Sequence, residues 1–390
     1  MLFELPASDR DNLAVEVRLF VRMRAADYHR PMIKNLLAGA AVTALIAIQA
    51  MAKELPDTIR VVEAALPPHV GACVMVMDHG KMVFKYAGGF ADIESKTDCA
   101  STTNFRIASV SKQFTATAVM LLVDRGKLSL DDPLTKFFPG FPDYGKKITV
   151  KQLLTHTSGL PEYEKLIPAG TTMQLDDLDV LHLLMDTKAP LFPAGEKFAY
   201  SNSGYTLLGL IVEAVSQKPF HEFVASEIFR PLGMNDSVLF QRGLNEVPHR
   251  AFGHEQKNGT WVRSDQSLTS AVRGDGGVYT SLRDYGKWLN SIDEQKLLSK
   301  ASYEAMFSPQ TVTDRHGAHY GYGWFIDEYR GEPRIHHNGE THGFRACVQR
   351  FPKREAAIFF QLNGEIEGQS EQLTKIGERL ADILIFNRSR

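Results

Sequence analysis

"FRIASVSKQFTATAVMLLVDRGKLSLDD" runs from Phe105 to Asp132, and its first turn sets how the rest is read. From Gln113 to Arg125 the apolar spacing predicts an amphipathic helix. Ser109, Ser111 and Lys112 stand where that helix begins. Residues i and i+3 share a helix face, so Ser109 and Lys112 can meet in the first turn. A helix start also presents unpaired backbone N–H groups and the positive end of the helix dipole. That environment favours an oxyanion and disfavours charge on a nearby lysine. A desolvated, neutral lysine can serve a serine nucleophile as its base. The competing reading is a cap: Ser109 or Ser111 accepts a backbone N–H and Lys112 lies in water. Ser109-x-x-Lys112 is the only S-x-x-K in the chain, and alone it favours the cap.

"FAYSNSGYTLLGLIVEAVS" follows about ninety residues later. Tyr200-Ser201-Asn202 is the only Y-x-N and sits in a loop before a second helical run, Thr206–Ser216. A tyrosine beside a neutral lysine can relay a proton, and an asparagine can hold lysine and substrate in place. Asn202 or Ser203 is equally suited to cap the helix, with Tyr200 packed on the core. A third element would be a basic residue on a strand edge followed by a glycine. The pattern [KH]-x-G occurs at His69, Lys257, His319, His337 and Lys375. Lys257-Asn258-Gly259 reads as a hairpin turn and Lys375 lies in a terminal helix. His337-Asn338-Gly339 ends one strand-like run and leads into the next, so His337 is chosen, with His319 as the alternative.

Taken together, Ser109-x-x-Lys112, Tyr200-x-Asn202 and His337-x-Gly339 resemble the penicillin-recognising serine hydrolases. The branch is that of class C β-lactamases, DD-peptidases, D-aminopeptidases and related esterases. "LLTHTSGLPEY" (Leu153–Tyr163), "IFRPLGM" (Ile228–Met234) and "GGVYTSLRDYGKW" (Gly276–Trp288) add to the likeness, which spans Leu55 to the C-terminus. The resemblance implies an α/β (α+β) fold: a five-stranded antiparallel sheet flanked by helices, an all-helical subdomain, and the site at their junction. It implies that Ser109 is the nucleophile, Lys112 and Tyr200 its proton-transfer partners, and Asn202, His337 and Gly339 its support. The oxyanion would lie between the backbone N–H groups of Ser109 and Glu340. The loops Glu162–Asp179 and His254–Asp275 would line the site.

The departure is at the third motif, where histidine stands in place of the lysine of the β-lactamases. Lysine is a fixed charge that can hold a substrate carboxylate; histidine, with a usual pKa of about 6.5, is charged only part of the time near neutrality. His337 is expected to hydrogen-bond Tyr200. The reading is therefore a peptidase, amidase or esterase acting on D-amino peptides, amides or short esters. A class C-like β-lactamase and a non-turnover penicillin-binding sensor or scaffold are the alternatives.

The chain ends supply the sheet in this reading. "GACVMVM" (Gly71–Met77) and "KMVFKYA" (Lys81–Ala87) flank a turn at Asp78-His79-Gly80. "YGWFIDEY", "RIHH", "FRACVQRF" and "AAIFFQL" near the C-terminus are short apolar or alternating runs, and Ser370 to Phe386 has helical spacing. Between them lie the helical patterns, including Phe220–Phe229, which ends at "RPLG". "FFPGFPDYGKK" (Phe137–Lys147) reads as a surface loop.

The chain has 390 residues, 44% hydrophobic and 23% charged, with a formal net charge of −2. That balance argues against a nucleic-acid partner. From Met32, one lysine precedes 18 uncharged residues, Asn35–Ala52, ending in Ala50-Met51-Ala52. This is the pattern of a secretory leader cleaved after Ala52. Residues 1–52 are thus read as an extension plus leader, and 53–390 as one catalytic domain that is periplasmic or secreted. An uncleaved anchor to the inner membrane over Asn35–Ala52 is the other route, and the only membrane association expected. The partner is a small-molecule or peptide substrate, cell-wall fragments included. Cys73, Cys99 and Cys347 are too few and odd in number for a disulfide framework, and the sequence does not choose a pair. His316/His319 and His336/His337/His342 lack metal-ligand spacing, so no metal or other cofactor is expected.

Overall fold

The computed structural model describes residues 57–64, 69–315, 317–365 and 369–387. The leader read at Met32–Ala52 and His316 lie outside them. Two apolar runs separated by a two-residue turn pair as strands β1 (Ala72–Asp78) and β2 (Lys81–Gly88). The C-terminal runs form β5 (Phe325–Tyr329), β6 (Glu332–Thr341), β7 (Phe344–Phe351) and β8 (Ala356–Leu362). With the two-residue strands β3 (Thr311–Val312) and β4 (His319–Tyr320), they make one antiparallel sheet in the order β3-β4-β5-β6-β7-β8-β1-β2. The α/β class is as expected, but the sheet has eight strands instead of five. β3 and β4 pair along the outer edge of β5, where their short length and weak apolar character left no alternation to read.

β7 and β8 are buried along their whole length, and β1 all but its last residue. Strands covered on both faces carry continuous apolar runs, which is why "ACVMVMD" and "AAIFFQL" do not alternate. The covers are two helices, α5 (Leu282–Asp293) and α6 (Gln369–Ala381). Phe359 stacks on Tyr285 of α5 with ring centroids 3.7 Å apart. Phe360, on the opposite face, lies beside Gly377 of α6.

The inserted helical part holds α1 (Lys112–Asp124), α2 (Val150–Leu154), α3 (Asp177–Met185) and α4 (Asn202–Ser216). α1 is not amphipathic, contrary to the sequence reading: Lys112 to Leu122 are all buried. Its polar side chains have internal partners instead of water. Gln113 Oε1 accepts from Tyr285 OH (2.8 Å) and Trp288 Nε1 (3.0 Å), and Thr115 Oγ1 donates to Gly274 O (2.7 Å). Phe220–Val224 is helical and passes into a wide turn over Ala225–Phe229 before "RPLG". Phe137–Lys147 is mostly loop, with a short 3-10 turn at Asp143–Lys147. Lys257 and Thr260 close a separate hairpin, as its Asn-Gly turn predicts. The described residues from Val61 onward form one compact unit. The cysteines are buried free thiols, Cys73 and Cys99 in contact at 3.5 Å between sulfurs. Among the described residues no helix is long and apolar enough to cross a membrane.

Candidate active site

Ser109 sits in a single 3-10 turn, Ala108–Ser111, that runs directly into α1. The residue before it, Ala108, has φ +47°, a left-handed conformation that costs an alanine energy and that the surroundings enforce. Ile107 N–H donates to Val278 O (3.0 Å), and Val278 N–H donates to Ser111 Oγ (3.1 Å). Ser111 therefore holds the turn to the neighbouring strand Val278–Thr280. Neither Ser109 nor Ser111 makes a side-chain cap bond, so the cap alternative falls.

Lys112 is fully buried, and its Nζ has three oxygen partners. They are Ser109 Oγ at 3.1 Å, Asn202 Oδ1 at 2.8 Å and Asp275 O at 2.9 Å. The last two can only accept. In a neutral amine they take both hydrogens, and the remaining lone pair points at the Ser109 hydroxyl. In the ammonium form the third hydrogen points there instead. Either way, two fixed acceptors aim Lys112 at Ser109.

The Asn202 amide is oriented from its other end. Its Nδ2 donates to Glu164 Oε1 (2.8 Å), which turns Oδ1 toward Lys112, and its backbone N–H donates to Glu162 Oε2 (3.0 Å). Burial pushes the Glu162 carboxyl up to about 7. Asn202 does not cap α4. Ser201 does, its Oγ accepting from Gly204 N–H (3.2 Å), while Ser203 bridges Tyr163 N–H and Pro161 O. Burial also raises the Asp275 carboxyl to about 6, and Tyr163 OH donates to it (3.2 Å). Both long loops thus contribute to the site, and they pair with each other where Leu175 N–H donates to Leu268 O (2.8 Å).

Tyr200 lies over Lys112, whose Nζ is 5.0 Å from the ring centroid. Its hydroxyl is buried and has no hydrogen-bond partner among the described residues. The expected bond from His337 to Tyr200 is not made; their ring centroids are 6.1 Å apart. His337 Nδ1 meets Asn338 O at 2.7 Å, so Nδ1 carries the proton and Nε2 is the acceptor. Tyr320 OH supplies the matching donor at 3.1 Å. Burial and the Lys112 charge hold the His337 imidazole well below its usual pKa. It is neutral at physiological pH, not partly charged. His319 lies in β4, and its neighbour Tyr320 is the residue that reaches the site. His336 points the other way along β6, with Nε2 at 3.3 Å from Asp327.

β5 pairs with β6 only as far as His336, so the β5-side edge of His337–Thr341 runs past its end. The Ser109 turn lies against this edge. A Cβ on Gly339 would stand 2.2 Å from Ile107 O and 3.2 Å from Ser109 N. No other residue fits without moving the strand off the turn. Glu340 follows on the same stretch. Among the described residues no group of three or more His, Cys, Asp or Glu side chains is placed to hold a metal ion.

Sequence reasoning missed Glu164, Asp275, His156 and Tyr320. Glu164 and Asp275 lie in loops with no period, and Asp275 acts on Lys112 through its carbonyl, which any residue supplies. His156 lies within "LLTHTSGLPEY", where its only sequence signal is a histidine beside the apolar Leu153–Leu154 pair.

A beta-lactamase family model matches residues 60–382. Among curated proteins, penicillin-binding protein 4* of Bacillus subtilis (strain 168) is 29% identical over 314 residues, 77% of this chain and 69% of that protein. Protein flp of Staphylococcus aureus (strain N315) is 30% identical over 328 residues, 82% of this chain and 64% of that protein. The chain thus spans about two thirds of the length of these relatives. The octameric penicillin-binding protein homologue from Pyrococcus abyssi superposes with a TM-score of 0.73 at 27% identity, covering 86% of this chain and 77% of that one. The D-amino acid amidase from Ochrobactrum anthropi SV3 shares the fold with a TM-score of 0.72 at 24% identity, covering 87% and 99%. With the family match over most of its length, the chain belongs to the beta-lactamase family, the penicillin-recognising serine hydrolases.

Proposed function

We propose that this chain is an exported serine hydrolase that cleaves amides or esters, of the D-amino peptide, D-amino amide or short acyl ester class, through a covalent ester on Ser109. The observation that carries the reading is the aim of Lys112: Nζ lies 3.1 Å from Ser109 Oγ while Asn202 and the Asp275 carbonyl take its other two directions. Ser109 Oγ bonds to the substrate carbonyl carbon, and its proton passes to Lys112, directly or through Tyr200. The oxyanion lies between the N–H groups of Ser109 and Glu340. Tyr200 OH gives a proton to the leaving group as the C–N or C–O bond breaks, and Tyr200 regains a proton from Lys112; water then bonds to the acyl carbon, its proton passing to Lys112 or Tyr200 and on to Ser109 Oγ as the Oγ–acyl bond breaks and the acid leaves.

The substrate class rests on His337. A neutral imidazole whose two nitrogens are engaged by Asn338 O and Tyr320 OH offers no fixed charge to a substrate carboxylate. Solved relatives of the same fold include a D-amino acid amidase. β-Lactam hydrolysis is the second reading, favoured by the family match itself. Export rests on the leader pattern from Met32 to Ala52.

The test is a panel of D-amino amides, D-Ala-D-Ala peptides, p-nitrophenyl esters and a chromogenic cephalosporin, run on residues 53–390 beside Ser109→Ala. Turnover of amides or esters above that of the cephalosporin, abolished in Ser109→Ala, is expected. Cephalosporin turnover at near-diffusional efficiency would overturn the substrate class, and full activity in Ser109→Ala would overturn the mechanism.

A further inference from the structure

We propose that His156 is a positioning residue for Tyr200, gripping its backbone on both sides and its ring on one face. His156 follows α2 and is fully buried. Its carbonyl accepts from Ala199 N–H at 2.8 Å, and its Nδ1 accepts from Ser201 N–H at 2.9 Å. These are the two residues flanking Tyr200. The imidazole lies against the Tyr200 ring, with centroids 4.3 Å apart and planes inclined by 32°. Main chain, side-chain nitrogen and ring face of one residue thus fix position, direction and tilt of the next.

The backbone of His156 makes this double grip possible. Its φ is +57°, left-handed, so the chain reverses there after α2. The chain then continues beside the 191–195 segment: Gly195 N–H donates to Thr157 O (2.7 Å) and Leu191 N–H to Gly159 O (2.8 Å). The Ala199 bond continues that track to the residue before Tyr200. The Ser201 bond also requires an unprotonated Nδ1. Burial first, then the nearby Lys112 charge, holds the imidazole well below its usual pKa. Nδ1 therefore keeps its lone pair and Nε2 carries the hydrogen. Tyr205 and Tyr320 close around the other sides of the ring at 5.0 and 4.6 Å. The rigid first contact matters because a proton-transfer group displaced by about 1 Å can cost about 10²-fold in rate.

The inference rests on the acyl-transfer reading of Ser109 and Tyr200, and a double-mutant cycle separates the two. His156→Asn keeps an acceptor near Nδ1 and tolerates a left-handed φ. His156→Ala keeps neither acceptor nor ring. Each is made in the native protein and in Tyr200→Phe, with thermal unfolding followed alongside. If His156 acts through Tyr200, kcat falls about tenfold in His156→Asn and about a hundredfold in His156→Ala, with KM within about threefold. In the Tyr200→Phe background neither change lowers kcat by more than about twofold. Losses that multiply across the two backgrounds would overturn the inference, as would an unchanged kcat in a folded variant. If His156→Ala does not fold, the cycle with His156→Asn decides. Failure of the acyl-transfer reading is distinguished by full activity in Ser109→Ala.

Discussion

The two sides of the site are built differently. On the helical side, Lys112 is held by three oxygens, and Asn202 is held in turn by two glutamates. Lys112 Nζ and Asn202 Nδ2 each have directed acceptors, and several elements far apart in the chain contribute. On the sheet side, His337 is neutral, turned toward Tyr320, and the strand itself packs closely on the Ser109 turn through Gly339. In the proposed mechanism the helical side moves a proton at Ser109. The sheet side provides close backbone approach, and its third motif offers a neutral imidazole where a lysine would offer a fixed charge.

Removing the centre of the helical side should have the largest effect. Lys112→Met leaves Asn202 Oδ1 and Asp275 O without their donor and Ser109 without its base, and kcat/KM for an ester substrate should fall by about 10³-fold or more. A loss under about tenfold would mean that Tyr200 alone serves Ser109. Next comes the sheet edge. Gly339→Ala must move β6 off Ile107, and kcat should fall by about 10²-fold in a protein that still folds. Retained activity would show that the close approach is not used.

His337→Lys sharpens the contrast directly by replacing the neutral imidazole of the third motif with a fixed cation. The ratio of kcat/KM for a carboxylate-bearing cephalosporin to that for a neutral ester should rise by about tenfold, as expected for one charge-assisted contact. An unchanged ratio would remove His337 as the reason for the substrate class. The smallest effect concerns stability. Glu162 has a folded pKa raised to about 7, above its unfolded value, so its contribution is fully present below about pH 4.5 and is lost as pH rises through 7. Glu162→Gln, which keeps an acceptor for Asn202 N–H, should raise Tm by a few degrees at pH 8 and leave it nearly unchanged at pH 4. Equal shifts at both pH values would contradict the burial of that carboxyl.

Much of this arrangement was legible in the residues. β8, buried on both faces, announced itself as a nearly unbroken apolar run, "AAIFFQL", and β7 coincides with "FRACVQRF", whose Arg345, Gln349 and Arg350 are buried too. The candidate site residues Ser109, Lys112, Tyr200, Asn202, His337 and Gly339 sit in ordered short motifs, and the fold brings them together. What was not legible has a common cause: it depends on tertiary context. α1 looked amphipathic because Gln113, Thr115 and Thr117 are polar, and only the structure supplies their buried partners. Tyr320 takes the bond assigned to Tyr200 because β4 docks on the sheet edge, a two-residue strand with no pattern of its own. Glu164 and Asp275 reach Lys112 and Asn202 from long loops whose course no periodicity encodes.

Whether Ser109 carries the acyl group is read by incubating the protein with a slowly deacylating ester or D-amino amide, quenching in acid and digesting for mass spectrometry. The mass of one acyl group is expected on the peptide containing Ser109 and is absent in Ser109→Ala. Turnover of the same substrate with no adduct on Ser109 at any quench time, or with the adduct on Ser111, would contradict it.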